Sequence, residues 1–260
     1  MRKRFKQNCE YFLLMLFYFI SKMIGLKKSS TLGGCLLSIY GKFSSKNQIA
    51  IKNLNKVFPN KSFREKRTII KKMWAHFGRV IGEYPHLNNI KTLNNKLIKI
   101  EGLENLLLPL KKYSNCLFFS AHLGNWELTS HPLTESGYKI SFIYRSPNNA
   151  KVDNILRKIR LNYGVDLIKK GSVGAKECIK ILKEEKGNIG MLIDQKMNDG
   201  IETIFFGHKT MTASAIAKFS LKYKCPIIPA VCRRKSDINF VIKYLPEISY
   251  QKVKKLGTET

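Results

Sequence analysis

The 260-residue chain predicts an α/β fold: a central mixed, largely parallel sheet flanked by helices, with a helical amino-terminal region in front of it. Three observations carry this. From residue 96 onward, short apolar runs alternate with stretches of helical periodicity. Before residue 96, apolar residues recur at spacings of three and four, the pattern of amphipathic helices. The composition, 44% apolar and 25% charged, is that of a globular chain long enough to bury a sizeable core.

Taking the elements in order, Arg2, Lys3, Arg4 and Lys6 precede an unbroken apolar run from Tyr11 to Ile20, and Lys22, Lys27 and Lys28 follow it. The segment has the charged and apolar regions of a signal peptide, but Ser21-Lys22-Met23-Ile24-Gly25 offers no small-x-small cleavage site. Even extended to Leu26 the run is about 16 residues, against the roughly 20 needed to cross a bilayer. Residues 1–28 are therefore expected to form an uncleaved helix lying in the headgroup region, with its lysines on anionic lipid. A core helix is the competing reading.

Residues 29–95 read as a helical region packed on the domain that follows, with helices over Leu32 to Tyr40, Lys46 to Phe58 and Phe63 to Tyr84, punctuated by Pro59 and Pro85. Met73, Trp74 and Phe77 are assigned to packing. Residues 96–260 form the α/β core. Strands are expected at Leu97 to Glu101, Cys116 to Ser120, Lys139 to Tyr144, Asp166 to Ile168, Asn188 to Ile193, Cys225 to Cys232 and Asn239 to Tyr244. Helices are expected near Asn125 and over Val152 to Leu161, Gly174 to Glu185 and Thr212 to Tyr223.

Chemistry concentrates in Phe118-Phe119-Ser120-Ala121-His122-Leu123-Gly124-Asn125-Trp126-Glu127-Leu128, where an apolar run delivers a histidine and then a carboxylate. Asn125 can cap a short helix that Pro132 ends. On one continuous helix His122 and Glu127 would stand about 140° apart, so they meet only if His122 lies outside it and folds back, which Gly124 permits. In such a pair the carboxylate holds one imidazole nitrogen protonated and leaves the other free to take a proton from a hydroxyl. The alternative is a hydrogen-bonded structural histidine beside a core Trp126. His122, Arg145 and Asp194 all fall at expected carboxyl ends of strands, where such sheets bind ligands. Arg145 and Arg160 suit bidentate contact with phosphate, although Arg160 could equally be a solvated charge on a basic face. Asp194 lacks a histidine or second carboxylate at a fitting distance, so no metal site is expected. Gly171-Ser172-Val173-Gly174 lacks the flanking residues of a phosphate-binding loop and reads as an ordinary loop. There is no G-x-S-x-G elbow.

The block AHLGNWEL resembles the H-x4-E/D motif of the late acyltransferases of lipid A biosynthesis, the lauroyl and myristoyl transferases within the glycerolipid acyltransferase superfamily. Further blocks follow in that family's order: Ile143-Tyr144-Arg145-Ser146-Pro147-Asn148-Asn149, a helix with Arg157 and Arg160, Leu192-Ile193-Asp194-Gln195, Phe205-Phe206-Gly207, and a helix leading into Cys225-Pro226-Ile227-Ile228-Pro229. The resemblance covers most of residues 45–245. Ser146 displaces the proline of its block by one place, the loop Lys196 to Gly200 has no counterpart that can be matched to a ligand, and relatives tend to continue with another helix where this chain ends. The last point implies a short or truncated member.

The resemblance implies a glycerolipid-acyltransferase-like fold and an O-acyltransferase at the cytoplasmic face of a bacterial inner membrane. It would move a fatty acyl chain from an acyl carrier protein thioester to a hydroxyl of a phosphorylated lipid A precursor. His122 would act as general base and Glu127 would orient it, without an acyl-enzyme. Arg145, Arg160 and Asp194 would bind or organise substrate, Asp194 alternatively by orienting an arginine. No cofactor is expected. A glycerophosphate or another glycolipid is the alternative acceptor, and coenzyme A the alternative donor.

Charge bears on partners. The chain has 47 Lys and Arg against 18 Asp and Glu, a net charge of +29, which attracts polyanions of any kind. Part of the excess reflects a composition rich in Lys, Asn and Ile. A basic nucleic-acid-binding protein is the competing class, but no zinc-finger, RNP or basic-zipper signature is present and no nucleic acid is expected as a partner. The six cysteines form no C-x-x-C pair, which argues for free thiols in a reducing compartment and against a zinc site or disulfide framework.

Overall fold

A computed structural model describes residues 2–185 and 187–258. The long helix α1 (Arg2–Lys42) is broken at Gly25, whose φ of 78° and ψ of 167° leave the helical region, so the element is two helices joined at a kink. The helix expected for residues 1–28 thus ends at the kink, and the second helix takes in the segment expected from Leu32 to Tyr40. Among the described residues α1 is the one helix long and apolar enough to cross a membrane by length and composition, and almost none of its apolar window is buried.

Then come α2 (Asn47–Val57) and α3 (Phe63–Glu83). Ser62 and Glu65 start α3 as a reciprocal capping box: the Ser62 side chain accepts from the Glu65 amide, and the Glu65 carboxylate accepts from the Ser62 amide. The second half of α1 runs antiparallel against α3 at glycine-limited distance. A Cβ on Gly33 would lie 2.2 Å from the Gly78 carbonyl oxygen, and one on Gly82 would lie 2.2 Å from that of Ser29. The backbones approach because neither helix has a side chain in the way.

The core begins with α4 (Leu87–Thr92), α5 (Asn94–Leu97) and β1 (Ile98–Glu101), followed by α6 (Leu103–Lys112) and β2 (Leu117–Ser120). A 3-10 turn (Trp126–Ser130) leads into α7 (His131–Glu135), β3 (Ile140–Tyr144), α8 (Ala150–Tyr163) and β4 (Asp166–Lys169). After these come α9 (Ser172–Lys180), a π turn (Ile181–Glu185), β5 (Asn188–Leu192), the hairpin β6 (Ile201–Phe205) and β7 (His208–Thr212), α10 (Ala215–Tyr223), β8 (Ile227–Ser236), β9 (Asn239–Tyr244) and α11 (Tyr250–Thr258). The seven expected strands all form, in the order β1-β9-β8-β2-β5-β3-β4, and only the β8–β9 pair is antiparallel. Helix α6, with Pro109 inside it, and the separate β6–β7 ribbon were not expected.

Alternation along the strands splits the core into two layers. Phe118 of β2 faces a cluster with Leu87, Leu106, Leu128, Leu133 and Tyr163, from α4, α6, the 3-10 turn, α7 and α8. Its neighbour Leu117 faces the other way, toward Cys178, Leu182, Ile189 and Ile216, under α9, the π turn and α10. Helices therefore cover both faces, as a mostly parallel sheet requires. Cys116, Cys178, Cys225 and Cys232 are buried free thiols, while Cys9 and Cys35 are exposed. Burial pushes Cys116 and Cys232 up to about 12, and Cys178 and Cys225 up to about 11.

Candidate active site

Strand order builds the site. β2 and β5 are parallel neighbours with Ser120 opposite Leu192, and the pairing continues one step as the Ile193 amide donates to the Ser120 carbonyl. Two residues past each of those partners stand His122 and Asp194. Equal offsets from a shared register put them side by side, and the Asp194 carboxylate takes both of His122's donors. The backbone amide donates to Oδ2 at 2.9 Å, and ring Nδ1 meets Oδ1 at 2.8 Å. Since a carboxylate only accepts, Nδ1 carries the proton and Nε2 is the nitrogen left for chemistry. Burial raises the Asp194 pKa, but the side-chain and backbone hydrogen bonds from His122 outweigh it and hold the carboxyl below its usual range.

The expected pairing of His122 with Glu127 is corrected by this geometry. Glu127 sits in the 3-10 turn, where Arg160 grips it with two bonds, Nε to Oε2 at 3.0 Å and a terminal nitrogen to Oε1 at 2.6 Å. Tyr84 Oη donates to Oε1 at 2.5 Å and the Trp126 indole donates to it at 3.1 Å. Burial opposes the charge, yet the Arg160 guanidinium and these donors hold the carboxyl below its ordinary value. Arg160 is raised in turn, since the Glu127 charge overcomes its own desolvation. One edge of its guanidinium is thus taken by Glu127, between the Tyr84 and Tyr144 rings, while Arg160, expected to bind substrate phosphate, still lines the cavity. What Glu127 shares with His122 is Trp126, whose ring packs edge-on against the imidazole at 4.8 Å and stacks on Phe77 at 6.1 Å.

The turn between them is held from behind. Gly124 has φ +55°, and a Cβ there would lie 2.5 Å from the Cys232 carbonyl oxygen of β8, so the left-handed turn against the sheet needs glycine. Asn125, expected to cap a helix, makes no capping bond and instead donates at 2.9 Å to Glu83, which is fully buried. Glu83 also accepts from Ser30 of α1 at 2.6 Å and from both terminal nitrogens of Arg234 of β8, at 2.5 and 3.0 Å. This hub escaped the sequence reading, although a carboxylate at a helix carboxyl end opposes the helix dipole and so calls for a partner. Pro132, expected to end a helix, stands in the first turn of α7.

Arg145 lies just past the carboxyl end of β3, exposed at the cavity wall, and no ion pair engages it among the described residues. The cavity has a volume of about 1210 Å³, above the roughly 300–1,000 Å³ usual for ligand sites. His122, Trp126 and Glu127 line it, together with apolar side chains from α3 and α8 such as Phe77, Ile155 and Ile159. Leu14, Phe17 and Tyr18 of α1 form part of the wall. Lys169, Lys170 and Lys196 add positive charge to the same lining. The amide of Leu123, at the turn after β2, donates to the Ala121 carbonyl at 2.7 Å. No group of three or more metal-ligating side chains occurs among the described residues.

A search among curated proteins finds no match. A family model described as bacterial lipid A biosynthesis acyltransferase matches residues 2–257, nearly the whole chain, including the strand ends that carry His122, Arg145 and Asp194. The chain therefore belongs to the bacterial lipid A biosynthesis acyltransferase family and is an acyltransferase.

Proposed function

We propose that this enzyme transfers a fatty acyl chain from an acyl carrier protein thioester directly to a hydroxyl of a phosphorylated lipid A precursor, with His122 as general base and Asp194, in place of Glu127, as the carboxylate that orients it. The observation that carries this reading is the doubly bonded His122–Asp194 pair at the edge of a large apolar cavity. Nε2 of His122 takes the proton of the acceptor hydroxyl while its oxygen attacks the thioester carbonyl. The tetrahedral intermediate collapses with cleavage of the C–S bond, and the imidazolium returns the proton to the departing thiolate. Asp194 stays ionised and stabilises the imidazolium. Products are an ester and a free thiol. Glu127 acts through Trp126, fixing the ring that packs on the imidazole.

Arg145, exposed and without an ion-pair partner among the described residues, suits the acceptor's phosphate. The net charge of +29 favours an acidic carrier by long-range steering. The apolar outer face of α1 and its flanking lysines support attachment to the anionic inner membrane at its cytoplasmic face. The test is acyl transfer by the purified enzyme to a lipid A precursor, read by mass spectrometry, with acyl carrier protein and coenzyme A thioesters compared. His122→Ala is expected to abolish the product while the protein stays folded. Full activity in His122→Ala would sink the mechanism, and exclusive use of the coenzyme A thioester would reassign the donor.

A further inference from the structure

The β6–β7 ribbon lies outside the central sheet and pairs only with itself. Every residue from Ile201 to Lys209 is exposed, and its turn is built from two left-handed residues, Phe206 (φ 50°) and Gly207 (φ 74°). Such a turn holds a tight hairpin, and here it presents Phe205 and Phe206, each 64% exposed, with rings packed edge to face at 4.7 Å. A two-stranded ribbon with both of its largest apolar side chains in water buries little to stabilise itself. The tip is nevertheless held in place. His208 Nε2 lies 3.1 Å from the Lys56 carbonyl oxygen at the carboxyl end of α2.

That placement joins the tip to a longer surface. α2 is about 16 Å long at 1.5 Å per residue, and its outward face carries Lys52 and Lys56, with Lys46 at its start. None of these lysines has a carboxylate partner among the described residues. At the other end Asn47 ties α2 to the Gly41 carbonyl of α1 at 2.6 Å, beside exposed Leu36, Ile39, Tyr40 and Phe43. Apolar groups therefore stand at both ends of a row of unpaired lysines.

We propose that the hairpin tip is a second membrane-insertion point, with Phe205 and Phe206 entering the acyl boundary of an anionic bilayer while the α2 lysines lie among its headgroups. The proposal rests on the membrane attachment inferred above. An acidic protein partner would satisfy the lysines, but it would need a preformed apolar pocket for two protruding rings, whereas a bilayer receives them without one.

The test uses the full chain, vesicles containing phosphatidylglycerol with bromine on the acyl chains, and the variants Phe206→Trp and Thr203→Trp, the latter placing the same reporter away from the tip. Flotation reports attachment and tryptophan emission reports insertion. Phe206→Trp is expected to be quenched by brominated lipid and shifted to the blue, beyond the parent protein and Thr203→Trp. The double change Phe205→Ser with Phe206→Ser should weaken vesicle binding by about tenfold, an effect consistent with partial burial of two aromatic rings. It should leave transfer to a detergent-dispersed acceptor unchanged. Flotation with unquenched Phe206→Trp would overturn the insertion while leaving attachment through α1 standing. Failure of every variant and the parent to float would overturn both. Emission that shifts with acyl carrier protein but not with vesicles would assign the tip to the carrier instead.

Discussion

Asp194→Asn separates the orientation of His122 from everything else the site does. Asp194 accepts two hydrogen bonds, from the His122 amide at 2.9 Å and from Nδ1 at 2.8 Å. Asparagine has one acceptor oxygen. If that oxygen keeps the backbone amide, the NH2 group faces Nδ1 and forces the proton onto Nε2, the nitrogen that must accept from the hydroxyl. The imidazole then presents a donor where a base is required. For histidine–carboxylate pairs in other enzymes that tautomer error costs up to about 10⁴ in kcat, and general-base catalysis as a whole contributes about 10²–10⁴. We expect kcat for Asp194→Asn to fall by about 10²–10⁴ with KM for the acceptor little changed. The melting temperature should hardly move, because the aspartate side chain is 36% exposed. Glu127→Gln should behave differently. It leaves Arg160, whose side chain is only 17% exposed, without its counter-charge, a loss of about 3–5 kcal/mol. Steady-state kinetics and thermal unfolding on both variants decide the matter. If Glu127→Gln keeps the parent's melting temperature but loses transfer, while Asp194→Asn stays within tenfold of the parent, Asp194 is not the orienting carboxylate and the mechanism above is wrong.

Three more outcomes follow from the packing. His76, His86 and His131 are held below the ordinary imidazole value, in each case chiefly by burial, so protonation favours the unfolded chain. Their contribution is complete above about pH 6.5 and is lost as pH falls from there through their folded pKa values; the lowered Glu127 carboxyl adds a further loss in more acidic solution. Melting temperature should therefore decline steadily from pH 7 toward pH 4, and a flat profile would contradict it. Gly33→Val puts a Cβ 2.2 Å from the Gly78 carbonyl oxygen and should cost at least about 1–3 kcal/mol, read by thermal unfolding and by faster proteolysis of α1. Glu83→Gln leaves Arg234 without its carboxylate and should destabilise by about 3–5 kcal/mol in denaturant titration, with part of the loss recovered when Arg234→Met is added.

The strand-forming segments were legible because each is a short apolar run bounded by polar or turn residues, and period alone marks such runs. Their order was not. Nothing local in Ser120 or Leu192 says that β5 enters beside β2 after two intervening strands, and that adjacency is what turns His122 toward Asp194. Spacing within one segment instead suggested Glu127, the nearest carboxylate in sequence. Arg160 shows the same limit: a guanidinium suited to phosphate is equally suited to a carboxylate, and only the fold decides which one it meets. The β6–β7 ribbon was missed because polar Glu202, Thr203, Lys209 and Thr210 interrupt its apolar residues and neither strand is covered by a core.

Helix α1 has two duties on one cylinder. Leu14, Phe17 and Tyr18 line the cavity beside His122, while Phe12, Leu13, Leu16 and Phe19 face outward. Gln7, Asn8 and Glu10 also bond to the loop and helix start at Asn148, Asn149 and Lys151, beside Arg145. Under the proposed function, the attachment device and the acyl chamber are thus one mechanical part. Trimming the amino terminus to obtain a soluble enzyme would remove a wall of the reaction vessel. On that reading, lipid packing or detergent exchange acting on the outward face of α1 would reach the cavity directly, because both sets of side chains stand on the same stretch of helix ahead of the Gly25 kink.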